Sequence, residues 1–257
     1  MKKTIGIILF IMLVAGGLAA CGTSDEASGS SEQDKKVLKM ATSADFPPFE
    51  SRDNEGNFEG FDIDLAHLIA EELGYELDIE DMKFDGLIGA LQADRVDMVM
   101  SGMSSTDERK KNVDFSTPYH HSGEMFVTTS DSAIESLEDL EGKTIGVQLG
   151  TIQEEGAETL SEEYGFEVKK VDDAGLIIQE LNSNRIDAGY MDKTVATGFI
   201  KEQGLIGFDD PTTSSPGMGI AFPKGSEMVT EVNEVLEKLE DEGKIQELEE
   251  KWLSDME

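Results

Sequence analysis

Cysteine occurs once in the 257 residues, histidine three times, and lysine plus arginine only 21 times against 55 aspartates and glutamates. One cysteine, Cys21, excludes an internal disulfide framework and any zinc site built on several cysteines. The shortage of basic residues leaves a formal net charge of −34. That charge excludes a nucleic-acid partner, since such binding draws its affinity from lysines and arginines neutralising phosphates. Adhesion to anionic lipid through a basic patch is disfavoured for the same reason. His120 and His121 are adjacent in a strand-like stretch and point to opposite faces, so they make a poor chelating pair. His67 belongs to a helical stretch. The glycine-rich pieces at Gly86 and at Gly217 and Gly219 lack the lysine of a phosphate-binding loop, and no Ser-His-Asp arrangement is present. No motif calls for a cofactor or a metal. Hydrophobic residues still make up 38% of the chain, enough to bury a core in one large domain or two small ones.

The one long apolar run is at the start. Lys2 and Lys3 precede residues 5–20, which are uncharged, mostly apolar and end in Leu18-Ala19-Ala20 before Cys21. This reads as a secretory signal, too short and wrongly flanked for a membrane span. Leu-Ala-Ala-Cys also resembles a bacterial lipoprotein cleavage box, in which Cys21 becomes the lipidated first residue. The alternative is an ordinary signal peptide with an incidental free thiol. Residues 21–36, polar and rich in Ser and Gly, read as a flexible tether. A domain hung from the outer face of the cell membrane follows.

From residue 37 onward, short β-rich runs alternate with amphipathic helical patterns, which indicates an α/β protein. Residues 37–42 read as the first strand. Residues 61–73 place apolar side chains on one helical stripe, with Asp62 and Asp64 in the first turn and Gly74 just past the end. Residues 75–79 alternate as a strand, 84–93 return to helix, and 96–100 form a buried strand, in which Met98 and Met100, like Met103 beyond it, serve as core filling. The pattern LQADRVDMVMSG at 91–102 recurs as LNSNRIDAGYMD at 181–192, with Leu, Arg and Asp at identical offsets. Each copy reads as a helix end, a tight turn and a strand, which predicts two related lobes. Ligands of open α/β sheets bind at the carboxyl ends of strands, so residues 101–104 and Asp192 are expected to face one another across a cleft. A break at 209–217 is followed by a strand at 218–222 and charged helices at 226–256. These return to complete the first lobe, so lobe 1 comprises 37–121 and 216–257, lobe 2 comprises 122–215, and two crossings form a hinge.

Six segments carry a resemblance in order: TSADFPPFE at 42–50, GFDIDL at 60–65, FDGLI at 84–88, MSGMSSTDER at 100–109, DFSTPY at 114–119 and GVQLGT at 146–151. Over nearly all of 36–253 the chain resembles the extracellular solute-binding proteins of polar amino-acid ABC transporters, family 3. The resemblance implies a type II periplasmic-binding-protein fold, an amino-acid ligand, a permease and ATPase as partners, and a monomer without catalytic residues.

It also places residues. A free amino acid presents a carboxylate and an ammonium at fixed separation. Arg109, in the first turn of a helix begun by Thr106, suits the carboxylate, because guanidinium forms two parallel bonds to it and stays charged. Thr151, opening a helix, adds its hydroxyl and the N–H groups of Thr151 and Ile152, and Ser104 completes this end. Asp192 takes the ammonium, with the Ser101 carbonyl and Gly102, and can cap a helix at the same time. Around the ligand side chain the family pattern puts Phe46, Phe84, Ser43 and Gln148. Ser43 stands where members that hold basic or amide side chains often have Asp, and Ile152 where Thr is common. Glu50 is the carboxylate expected to compensate for Ser43. Two other functions fit the same frame: an enzyme like the cyclohexadienyl dehydratases, with Glu50 as acid, and a sensory binding module.

Overall fold

The computed structural model describes residues 36–254; the signal segment and Cys21 lie outside the described residues. In chain order, β1 (Lys36–Thr42) is followed by a small hairpin, β2 (Ser51–Arg52) and β3 (Phe58–Glu59). Then come α1 (Phe61–Leu73), β4 (Tyr75–Asp81), α2 (Leu87–Gln92), β5 (Met98–Val99) and β6 (Val113–Phe115). The second half holds β7 (Glu124–Thr128), β8 (Thr144–Gln148), α3 (Ile152–Tyr164), β9 (Glu167–Val171), α4 (Ala174–Asn182), β10 (Ala188–Asp192), α5 (Lys193–Gln203) and β11 (Ile206–Asp209). The chain then returns through β12 (Ala221–Pro223), α6 (Met228–Asp241) and α7 (Lys244–Trp252).

Two five-stranded sheets result, ordered β4-β1-β5-β12-β6 and β11-β7-β10-β8-β9. Each has helices on both faces, and the strands alternate accordingly. In the first sheet Met40, Met98 and Phe222 join the core under α1, α6 and α7, while their neighbours Ala41, Val99 and Ala221 join the core around α2. In the second, Phe126 and Tyr190 pack with α3, and Val127 and Met191 face the side of α4 and α5. Met98, Met100 and Met103 are all buried. The chain crosses between sheets at 116–123 and 210–220. These segments pair with each other: the Met218 amide donates to the His120 carbonyl (2.8 Å) and the Tyr119 amide to the Met218 carbonyl (2.9 Å). The result is a two-stranded hinge.

The repeated pattern is structural. After α2 and α4 the chain turns through left-handed Asp94 (φ 51°) and Asn184 (φ 53°), residue types that tolerate this region best after glycine. The Asp97 carboxylate then accepts the Lys39 amide and the Asp187 carboxylate the Thr144 amide, each at 2.8 Å. Both aspartates therefore tie the turn to the neighbouring parallel strand, in the middle of β1 and at the start of β8.

Several boundaries differ from the sequence reading. Residues 84–86 form a 3-10 turn before α2, since Gly86 and Gly89 weaken helix propagation there. Arg109 opens a 3-10 turn (Arg109–Lys111) and not an α-helix. Met218 lies outside β12 and makes isolated bridges to Ser104 and His120, so the strand starts at Ala221.

Candidate functional site

The carboxyl ends of the central strands of both sheets converge on one cavity, lined by Asp45, Phe46, Phe84, Gly102, Ser104, Arg109, Gln148, Thr151, Ile152, Gln153 and Asp192. Thus Arg109, Thr151, Ile152, Ser104, Gly102, Asp192, Phe46, Phe84 and Gln148 come together from positions spread over about 150 residues of chain.

Arg109 stands between the lobes. Its amide donates to Thr106 Oγ1 (3.2 Å), Nη1 to the Ser104 carbonyl (2.8 Å) and Nη2 to the Gly150 carbonyl (2.9 Å). The guanidinium lies 5.4 Å from the centre of the Phe84 ring, within cation-π range. Burial lowers its pKa to about 10, with Glu155 opposing, so it stays cationic at any physiological pH. Thr151 is the N-cap of α3: Oγ1 accepts the Glu154 amide (3.2 Å) and donates to the Gln148 carbonyl (2.7 Å). The first N–H groups of that helix have no intrahelical partner, which gives an anion a place beside Arg109.

Asp192 caps α5 and is buried. Its Oδ1 accepts the Thr194 amide (2.8 Å), the Val195 amide (3.3 Å) and the Ser122 hydroxyl (3.0 Å), none of which engages Oδ2. Burial pushes its carboxyl up to about 6 against these bonds. Gly102, at φ 51°, donates its amide to Asp62 (2.8 Å) and leaves room for the Phe46 ring above it.

Three expected residues do not reach the cavity. Ser101 turns its hydroxyl inward to Glu50 (2.7 Å). Ser43 is buried and donates to Asp45 Oδ1 (3.0 Å). Glu50 is fully buried beneath the site, so it cannot supply the missing carboxylate: Phe49, next to it, turns into the core and carries Glu50 under the floor. Asp45, two residues after Ser43, lines the cavity instead. Its Oδ2 accepts Gln148 Nε2 (3.0 Å) and the Ala174 amide (3.1 Å), both from the other lobe. Burial, then the charge of Asp173, pushes its carboxyl up to about 6. Gln153 is a second unforeseen lining residue; it donates to Glu124, whose carboxyl burial and Asp192 push up to about 8. The sequence signal for Asp45 was an acid beside Ser43 before Pro-Pro-Phe; for Gln153 it was a polar residue in the first turn after Thr151.

One guanidinium and a helix N-terminus thus share a cavity with two carboxylates and two aromatic rings. The model for bacterial extracellular solute-binding proteins, family 3, matches residues 38–255. The chain belongs to this family. It is 43% identical over 258 aligned positions to the arginine-binding extracellular protein ArtP of Bacillus subtilis (strain 168), covering 99% of each chain. Its fold matches an ancestral arginine-binding protein bound to arginine, with a TM-score of 0.81, 40% identity, and coverage of 86% of this chain and 99% of that one. The ancestral amino acid-binding protein AncCDT-1, a precursor of cyclohexadienyl dehydratase, is also similar: TM-score 0.79, 36% identity, 85% of this chain and 96% of that one. As a family 3 member the chain is an extracellular solute-binding protein with the type II periplasmic-binding fold. Among the described residues no helix is long and apolar enough to cross a membrane.

Proposed function

We propose that this protein captures a cationic amino acid outside the cell by closing its lobes and delivers it to an ABC permease and ATPase. The observation that carries this reading is the placement of Arg109, Asp192 and Asp45 on one cavity. Arg109, the Thr151 hydroxyl, the Thr151 and Ile152 amides and Ser104 hold the ligand carboxylate. Asp192 and Gly102 hold its ammonium, with Ser101 behind them and outside the lining. The stem lies between Phe46 and Phe84, and the distal cation meets Asp45, with Gln148 beside it. Asp45 takes over the part assigned by sequence to Ser43 and Glu50. Since Asp45 and Arg109 already bond across the cleft, a ligand joining them adds contacts to both lobes and favours closure. Similarity to the arginine-binding relatives supports the ligand class.

The lobe limits follow the crossings, with 37–121 and 216–257 in lobe 1 and 122–215 in lobe 2. Cleavage before Cys21 and its lipidation would anchor a monomer to the outer membrane face through the tether at 21–36. Calorimetry with the twenty amino acids plus ornithine and cystine tests the proposal: arginine or another cationic amino acid binds tightest, one per chain, and a flat panel overturns it. Similarity to the dehydratase precursor keeps an enzyme in view, but Glu50, its assigned acid, does not line the cavity. Turnover of prephenate or arogenate would establish that alternative.

A further inference from the structure

Glu50 and Asp62 have side chains within hydrogen-bond reach of each other under the floor of lobe 1, and both residues are fully buried. Glu50 Oε1 accepts the Ser101 hydroxyl (2.7 Å). Asp62 Oδ2 accepts the Gly102 amide and the Tyr119 hydroxyl, each at 2.8 Å. The other oxygen of each, Glu50 Oε2 and Asp62 Oδ1, is buried and accepts no hydrogen bond. Two ionised carboxylates offer each other only lone pairs and like charge, so such a pair is satisfied only by a shared proton. Two donors stabilise charge on Asp62 and one on Glu50, which places the proton on Glu50.

We propose that Glu50 is a positioning residue: as a neutral acid it donates to Asp62, and the pair fixes the Ser101-Gly102 turn under the ligand ammonium and, through Tyr119, the first hinge segment. This rests on the reading of that turn as part of the ligand site. Burial, reinforced by the charge of Asp62, holds Glu50 well above the ordinary carboxyl range. The other titratable groups facing the pair are Asp45, Tyr119 and, beyond Tyr119, Asp192. His120, packed on Phe49 and Phe61, is lowered to about 4 by burial and so stays neutral. None of the principal influences on either carboxyl is a cation. Unfolded Glu50 titrates near 4.5, so folding takes up one proton above that pH. The contribution of the Glu50 proton is complete below 4.5 and declines as pH rises, by up to about tenfold in folding constant per unit, until the folded group ionises; Asp62, raised to about 6 by burial, takes up a proton of its own below that pH.

Glu50→Gln keeps both bonds without a proton, since its amide donates to Asp62 and its carbonyl accepts Ser101; Glu50→Ala removes both. Full-length wild type and both variants are compared by denaturant unfolding from pH 5 to 9, by calorimetry with arginine at pH 7, and by infrared spectroscopy. Glu50→Ala is expected to bind at least about tenfold more weakly, and Glu50→Gln to restore binding to within about threefold of wild type. The folding constant of Glu50→Gln relative to wild type should rise by up to about tenfold per pH unit. The carbonyl stretch of a protonated acid should be present in wild type and lost in Glu50→Gln. Parallel pH profiles, no acid band, or a Glu50→Gln variant as weak as Glu50→Ala overturns the proposal. If Glu50→Ala does not fold, Glu50→Gln against wild type decides through the pH profile and the band. Failure of wild type to bind any amino acid overturns the site reading instead, and the band and pH slope still judge the pair.

Discussion

The two helix–turn–strand units, α2 to β5 and α4 to β10, share a turn down to individual hydrogen bonds and part company where the strand ends. In the first unit, Arg95 donates its amide to Ala90 (3.0 Å); in the second, Arg185 does the same to Glu180 (2.9 Å). After β5 the chain enters the Ser101 to Ser104 turn, which presents backbone, a hydroxyl and, five residues on, the guanidinium of Arg109. After β10 it runs straight into α5, so that the last strand residue, Asp192, becomes a cap facing the same cavity. The shared part builds the lobe. The divergent part divides the labour: beyond β5 lobe 1 supplies the cation, whereas at the end of β10 lobe 2 supplies an acid.

Arg109→Ala should break the division most severely. It leaves the ligand carboxylate without its charged partner in a desolvated site, and affinity for arginine in calorimetry should fall by several hundredfold or about 3 to 4 kcal/mol. A loss below about tenfold would move the carboxylate site elsewhere.

Acid should act on both lobes together. Asp45 and Asp192 are raised to about 6 from 3.8 by burial. Folding therefore takes up protons between those values, and the stability these groups contribute is largest at low pH and declines as pH rises toward 6. Ligand binding has the opposite sign, because a bound cation needs both carboxylates ionised. Affinity should be constant above pH 7 and drop by about tenfold to a hundredfold by pH 5. Titration with arginine across this range checks it, and a flat profile would show that neither acid meets a cation.

Asp45→Asn isolates the side-chain end. Arginine binding should weaken by about tenfold, with neutral amino acids affected less, since shape is kept and charge is lost. An equal loss for both would make Asp45 a lobe clasp only.

The smallest effect sharpens the comparison itself. Asp97→Ala and Asp187→Ala each remove one equivalent bond to a strand amide, so each should cost about 1 kcal/mol in denaturant unfolding and leave ligand affinity unchanged. Costs differing by more than that would show the two turns to be alike in form only. The Arg185 to Glu180 ion pair is absent from the first unit, where the matching positions are Arg95 and Ala90, and as a surface pair it adds little to the second.

Much of this architecture is legible in the chain. Periodicity marks α1 to its ends because apolar stripe, first-turn acids and Gly74 all agree. The repeated Leu, Arg and Asp mark the turns because those residues make the same local bonds in both copies. Arg109, Thr151 and Asp192 are legible through the resemblance of the six segments to the family, and the chemistry of guanidinium, helix N-terminus and carboxylate suits the places it gives them. Asp45, Glu50 and Ser43 are not, since in an irregular loop neighbours in sequence can face the cavity or the core. Which acid reaches the ligand depends on Phe49 turning inward, a tertiary choice with no periodic signal. The same holds for Met218, whose place in the hinge comes from Ser104 and His120, more than ninety residues away.

Gly102 carries a last consequence. A β-carbon there would come within 2.7 Å of the Phe46 ring, so the aromatic wall rests where it does because this position has no side chain. Alanine at 102 would tilt the ring, and the change would be felt as a new preference among ligand shapes more than as a uniform weakening. A residue with no functional group of its own thus serves as the gauge of the pocket, and the place from which its selectivity can be retuned.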